Sequence, residues 1–129
     1  MSQIILEFRL DRDKHNMLQE ICARLGIKNI CVERRDYAQQ LGALAGVAGF
    51  SKDRKKYTGP EFPAEMLVFS GMNSGQVDIF LDEYKKTGLA PIGLKAVITA
   101  NNVFWTAETL FQEIMREHMG LALKSEKQM

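Results

Sequence analysis

The spacing of apolar residues changes repeatedly along this chain, and each change marks an element. Ile4 to Arg9 has an almost continuous apolar centre and predicts a strand. Met17, Leu18, Ile21, Cys22 and Leu25 then recur at three- and four-residue spacing, the stripe of an amphipathic helix. Asp11 or Asp13 can cap that helix, and Gly26 stops it, because glycine adopts the left-handed conformation cheaply. Lys28 to Glu33, centred on Ile30, Cys31 and Val32, predicts a second short strand, and Asp36 opens a segment to Gly46 that reads as a short helix.

The pattern restarts at Met66–Ser70, a buried strand. Gly71 turns the chain, Asn73 and Gln76 have capping-box spacing, and Met72 and Val77 take the two staple positions. Val77, Phe80, Leu81 and Tyr84 form the inward face of a helix that Gly88 ends. Leu94 to Ile98 is a fourth strand. A last helix starts near Thr106, with Trp105 and Leu110 spaced as a staple and a broad stripe of Leu110, Phe111, Ile114, Met115 and Met119.

The order β-α-β-α therefore occurs twice, and the halves correspond at an offset of about sixty residues. Phe8 matches Phe69, Leu18 matches Phe80, Cys22 matches Tyr84 and Gly26 matches Gly88. Between the halves, Val47 to Glu65 holds Gly49, Gly59, Pro60, Pro63 and the run Lys52-Asp53-Arg54-Lys55-Lys56, a solvated joint by composition. The expected organisation is one domain over 1–129: half one 3–46, linker 47–65, half two 66–121 and a frayed tail 122–129.

The fold class is α/β, of the α+β sandwich kind. A right-handed crossover makes the two strands of each half parallel. Two four-stranded sheets satisfy that rule. One is a ferredoxin-like pseudo-twofold arrangement, with strands antiparallel between halves and helices on one face. The other is a wholly parallel sheet with helices on both faces. The first is favoured, with both halves sharing one apolar interior.

Composition narrows the function. With 129 residues, 46% hydrophobic and 26% charged, the chain can fold without metal or disulfide staples. Seventeen basic side chains against sixteen acidic ones leave +1, too little for the basic field that a dedicated nucleic-acid binder needs. No apolar run approaches the ~20 residues of a membrane helix. The opening Ile4-Ile5-Leu6-Glu7-Phe8 has neither a basic region nor a signal core, so a cytoplasmic location is expected. Cys22 and Cys31 are too far apart for a redox pair and read as buried free thiols, and His15 and His118 show no metal-ligand spacing. No catalytic residue, metal ligand or cofactor is expected.

Two patches could still hold a ligand. The turn Ser70-Gly-Met-Asn73-Ser74-Gly75 leads into a helix N-terminus, where unpaired N–H groups favour an anion. Neither a Walker A loop nor a dinucleotide fingerprint is present there. On the fourth strand, alternation puts Lys95, Val97 and Thr99 on one face. With Asn101, Asn102 and Trp105 they offer polar groups and an aromatic plane to a small ligand. The bland alternative is that Trp105 staples the last helix, the asparagines shape its entry and Lys95 reaches solvent. Self-association has two candidate faces, the last helix through Phe111, Met115 and Met119, and the small-residue segment Gly42 to Gly46.

Asp36-Tyr37-Ala-Gln-Gln-Leu-Gly-Ala-Leu-Ala-Gly46, together with Leu94-Lys-Ala-Val-Ile-Thr99 and Trp105-Thr106, resembles a bacterial family known as domain of unknown function 3783. The resemblance extends over most of the chain and is most specific at 94–106, although Ala100 stands where members often carry proline. It implies a bacterial source and a shared fold, and brings no activity. The expectation is a non-catalytic binding or protein-interaction module. The alternative is a small-molecule domain, for an anionic ligand, or an enzyme built on the strand-three turn and the Lys95–Trp105 block.

Overall fold

A computed structural model describes residues 2–127 of the chain, and side-chain surroundings as far as His118. The elements are β1 (Ile4–Phe8), α1 (Arg12–Leu25), β2 (Lys28–Cys31), a 3₁₀ turn (Arg34–Ala38), α2 (Leu41–Leu44), β3 (Met66–Ser70), α3 (Ser74–Lys85), β4 (Leu94–Val97) and α4 (Ala107–Lys127). Local chemistry explains most of the ends. The Asp11 side chain accepts from the Lys14 amide to start α1, and Gly26 closes it at φ 72°. Arg9 (φ 61°) occupies the left-handed region without being glycine, turning the chain sharply from β1 towards α1. α4 runs to Lys127, into the stretch 122–129 read as a tail.

The four strands form one sheet in the order β2-β1-β3-β4. β1 runs parallel to β2 and β3 parallel to β4, while the central β1–β3 seam is antiparallel. The wholly parallel alternative is thereby excluded. Each half keeps its two strands as neighbours, so the halves lie side by side and do not interleave as in a split β-α-β unit.

Helices cover both faces of the sheet, not one. α1 and α3 pack on one face, where Ile5, Leu18, Ile21, Cys22, Leu67, Phe69, Phe80 and Tyr84 form a buried cluster. The opposite face buries Leu6, Phe8, Tyr37, Leu41, Phe62, Val68, Leu110 and Phe111 beneath the 3₁₀ turn, α2, the 47–65 segment and α4. The sheet thus divides the expected single interior in two, and each layer draws residues from both halves. β3 is buried at every position, as a central strand with two covered faces must be.

The ladder also corrects one internal correspondence. Phe8 faces the second layer and Phe69 the first, because a shift of one residue along a strand reverses the face. The register pairs Phe8 with Met66 and Glu7 with Leu67. The fourth rung of the β1–β2 ladder is Glu7–Cys31, and the fourth rung of the β3–β4 ladder is Phe69–Val97.

Candidate functional site

The residues anticipated in the second half fall into two places. Ser70 ends β3 and is buried. Asn73 caps α3 through a complete capping box, its Oδ1 accepting from the Gln76 amide and its own amide donating to Gln76 Oε1, each at 2.9 Å. Ser74 is the exposed first residue of that helix. The Ile98 amide donates to the Phe69 carbonyl at 2.8 Å, so Thr99 follows at the same end of the sheet as Ser70.

Here the polar atoms serve the backbone. Asn102 Oδ1 accepts from the Thr99 amide at 2.8 Å and Nδ2 donates to the Val97 carbonyl at 3.0 Å. Thr99 Oγ1 accepts from the amides of Asn101 and Asn102. The Trp105 carbonyl accepts from the Leu41 amide at 2.8 Å, while the residue as a whole stays 36% exposed beside the more exposed Phe104.

Lys95 lies apart from this group. Its rung partner is Leu67, near the start of β3, so it sits towards the other end of the strand pair. Its ammonium donates to the Ile92 carbonyl at 2.7 Å, and the residue lines a cavity of about 370 Å³ between α3, the following loop and β4. Leu67, Phe80, Leu81, Tyr84, Leu89, Pro91 and Ile92 supply apolar walls, and Lys85 is the second cation. The loop wall is fixed by Tyr84, whose hydroxyl donates to the Ala90 carbonyl at 2.9 Å, and by Thr87, whose hydroxyl donates to the Tyr84 carbonyl at 2.7 Å. Burial pushes the Tyr84 hydroxyl pKa up, keeping it a neutral donor.

The faces proposed for self-association are partly engaged within the chain. Phe111 is buried in the second layer and Met115 packs against it, while the Met119 side chain lies outside the described residues. Gly42 is buried where a Cβ would stand 2.7 Å from Phe50 and 2.9 Å from Val103.

One constellation was not visible in the sequence. Glu7, 1% exposed, points from β1 into the layer beneath α1, where Oε1 and His15 Nδ1 form a hydrogen bond. Asn29 Nδ2 reaches Oε2 at 3.5 Å. Cys31 completes the group: the carboxylate, imidazole and thiol ligand atoms all lie within 4.8 Å of one another. Cys31 is exposed at the edge of the sheet, contrary to the expectation of burial, because β2 is an outer strand.

No reading of spacing could join these three. Glu7 and His15 meet through the turn into α1, and Cys31 returns only through the β1–β2 register. The one available signal was a charged residue inside an apolar strand. Desolvation, followed by the charge and hydrogen bond of Glu7, pushes the Cys31 thiol pKa up. That shift runs opposite to the lowered thiol pKa by which a nucleophilic cysteine is activated. A neighbouring depression lined by Arg9, Leu10, Asp11 and Glu65 is already committed: Glu65 accepts from the Lys14 ammonium at 2.5 Å and the Asp11 amide at 2.9 Å.

Among the described residues, no helix is long and apolar enough to cross a membrane. Residues 65–121 match the family model described as a domain of unknown function, DUF3783. All residues lining the cavity fall within that match, while Glu7, His15 and Cys31 precede it. No curated protein and no solved structure matches the chain.

Proposed function

We propose that this chain is a non-catalytic binding module of the bacterial cytoplasm that seats a small amphipathic anion in the cavity between α3 and β4. One observation carries the reading: about 370 Å³ of apolar-walled space has two lysines, Lys85 and Lys95, among its lining residues. Small-molecule sites typically measure about 300–1,000 Å³, with apolar walls and a few placed polar groups. An aliphatic tail would pack against Leu81, Leu89 and Ile92, and a carboxylate or phosphate head would meet the lysines. The family resemblance supports a bacterial source, and the DUF3783 match spans the whole lining.

Thermal unfolding with octanoate, octylamine and octanol tests this directly. Octanoate should raise the melting temperature, with a stabilisation of about 2.7 kcal/mol at a hundredfold excess over its Kd. Octylamine should not. Leu81→Trp, which fills the cavity, should abolish the effect, and Lys85→Met with Lys95→Met should remove the preference for the anion. Equal response to all three probes, or none to any, would overturn the proposal.

A further inference from the structure

We infer that Glu7, His15 and Cys31 form a binding site for one borderline-soft divalent cation, of which zinc is the representative. Three elements deliver the donors: β1 the carboxylate, α1 the imidazole and β2 the sulfur. Their mutual separations stay within 4.8 Å. Zinc bonds of about 2.0–2.3 Å place tetrahedral donors about 3.3–3.8 Å apart. Side-chain rotation of about an ångström closes that gap, since the Glu7–Cys31 rung already fixes the two strands.

The neighbouring half serves as an internal contrast. The rung matching Glu7–Cys31 is Phe69–Val97. His15 is the fourth residue of α1, and the fourth residue of α3 is Val77. Three polar donors thus stand where the other crossover unit places three apolar side chains. Packing alone accepts Phe and Val at these positions, so it does not call for a buried carboxylate, an imidazole and a thiol together.

Charge and chemistry select the occupant. A buried carboxylate, even one hydrogen-bonded to His15 and Asn29, favours a full positive charge beside it. Carboxylate and thiolate together neutralise a divalent cation, with the thiol proton released to solvent on binding. The sulfur donor disfavours magnesium and calcium, and the mixed sulfur, nitrogen and oxygen set suits zinc or cobalt. Asn29, at 3.5 Å from the second carboxylate oxygen, is placed to orient Glu7. Exposed Cys31 and half-buried His15 leave a fourth position open towards solvent. The group also lies at the carboxyl ends of two parallel strands, where α/β sheets present ligands.

The test uses the 129-residue, metal-stripped chain titrated with Zn²⁺ and with Co²⁺. One equivalent should bind, and the cobalt form should show visible ligand-field bands with a thiolate-to-cobalt charge-transfer band. Cys31→Ser should remove that charge-transfer band. His15→Ala and Glu7→Gln should each weaken zinc binding by on the order of 100-fold. Cys22→Ala, which alters the other thiol, should leave binding unchanged. Circular dichroism distinguishes a lost ligand from a lost fold, and Cys31→Ser at the exposed edge provides a readout independent of the buried Glu7. Absence of stoichiometric binding, or binding indifferent to both His15→Ala and Cys31→Ser, would overturn the inference.

Discussion

Gln39 grips Asp53 with both ends of its side-chain amide. Its Oε1 accepts from the Asp53 amide at 2.9 Å, while Nε2 reaches the Asp53 carbonyl at 3.0 Å and carboxylate at 3.1 Å. The same Nε2 donates to the Lys55 carbonyl at 2.8 Å, and Gln39 is only 2% exposed. The basic run is thus solvated at its side chains but anchored through its backbone. Gln39→Ala should cost about 2 kcal/mol, since truncation leaves the partners short of hydrogen bonds. It should also speed native-state trypsin cleavage at Lys52–Lys56 through local opening. Unchanged cleavage would show that the anchor does not control the segment.

Gly42 makes a second tertiary lock. Its amide donates to the Val103 carbonyl at 3.0 Å, and Phe50 and Val103 close over its missing side chain. Gly42→Ala should lower stability in denaturant melts by about 1–3 kcal/mol through overpacking. If this glycine instead served contact with a second copy, the variant would change the molar mass by light scattering and leave monomer stability intact.

Alkaline pH should expose the buried thiol of Cys22. Burial first, then the charge of Glu7, pushes its pKa from 9.0 up to about 12. The unfolded chain therefore loses this proton from pH 9 upward while the folded chain retains it. Stability present below pH 9 is lost between 9 and 12, by up to about 1.4 kcal/mol per pH unit. Lys14 adds to the fall above its ordinary value of 10.5, because its hydrogen bond with Glu65 raises its pKa in the fold. Urea melts at several pH values should show the stability advantage over Cys22→Ala shrinking as pH rises from 9. A constant difference would mean that Cys22 ionises alike in both states.

How much of this was legible depended on whether the cause was local. β3 and α3 were readable because Asn73, Gln76, Met72 and Gly88 act within a few residues of the elements they bound. The segment from Asp36 to Gly46 was not, since Gln39 and Gln40 are extended and split it into a 3₁₀ turn and a short α2. Tertiary contacts make that break: Gln40 bridges to Thr106, and the Gln39 side chain holds Asp53. Strand faces were similarly hidden. Matching Phe8 to Phe69 by residue type obscured the equivalence of Glu7 with Phe69 that the ladders give. Among the anticipated polar residues, only the strand directions separate Lys95 from the Ser70–Thr99 end.

The same substitution of polar for apolar groups predicts a conflict between stability and binding. A buried carboxylate with its polar partner is often less favourable than apolar side chains of similar volume, by about 1–4 kcal/mol. Replacing both members together, as Glu7→Leu with His15→Val, should therefore raise the metal-free melting temperature while eliminating zinc uptake. Either change alone should destabilise, because it strands the other polar group in the layer beneath α1. Differential scanning calorimetry on the two single variants and the double variant measures the coupling. A double variant less stable than the parent would mean that Glu7 and His15 are retained for folding, and that their polarity needs no ligand to explain it.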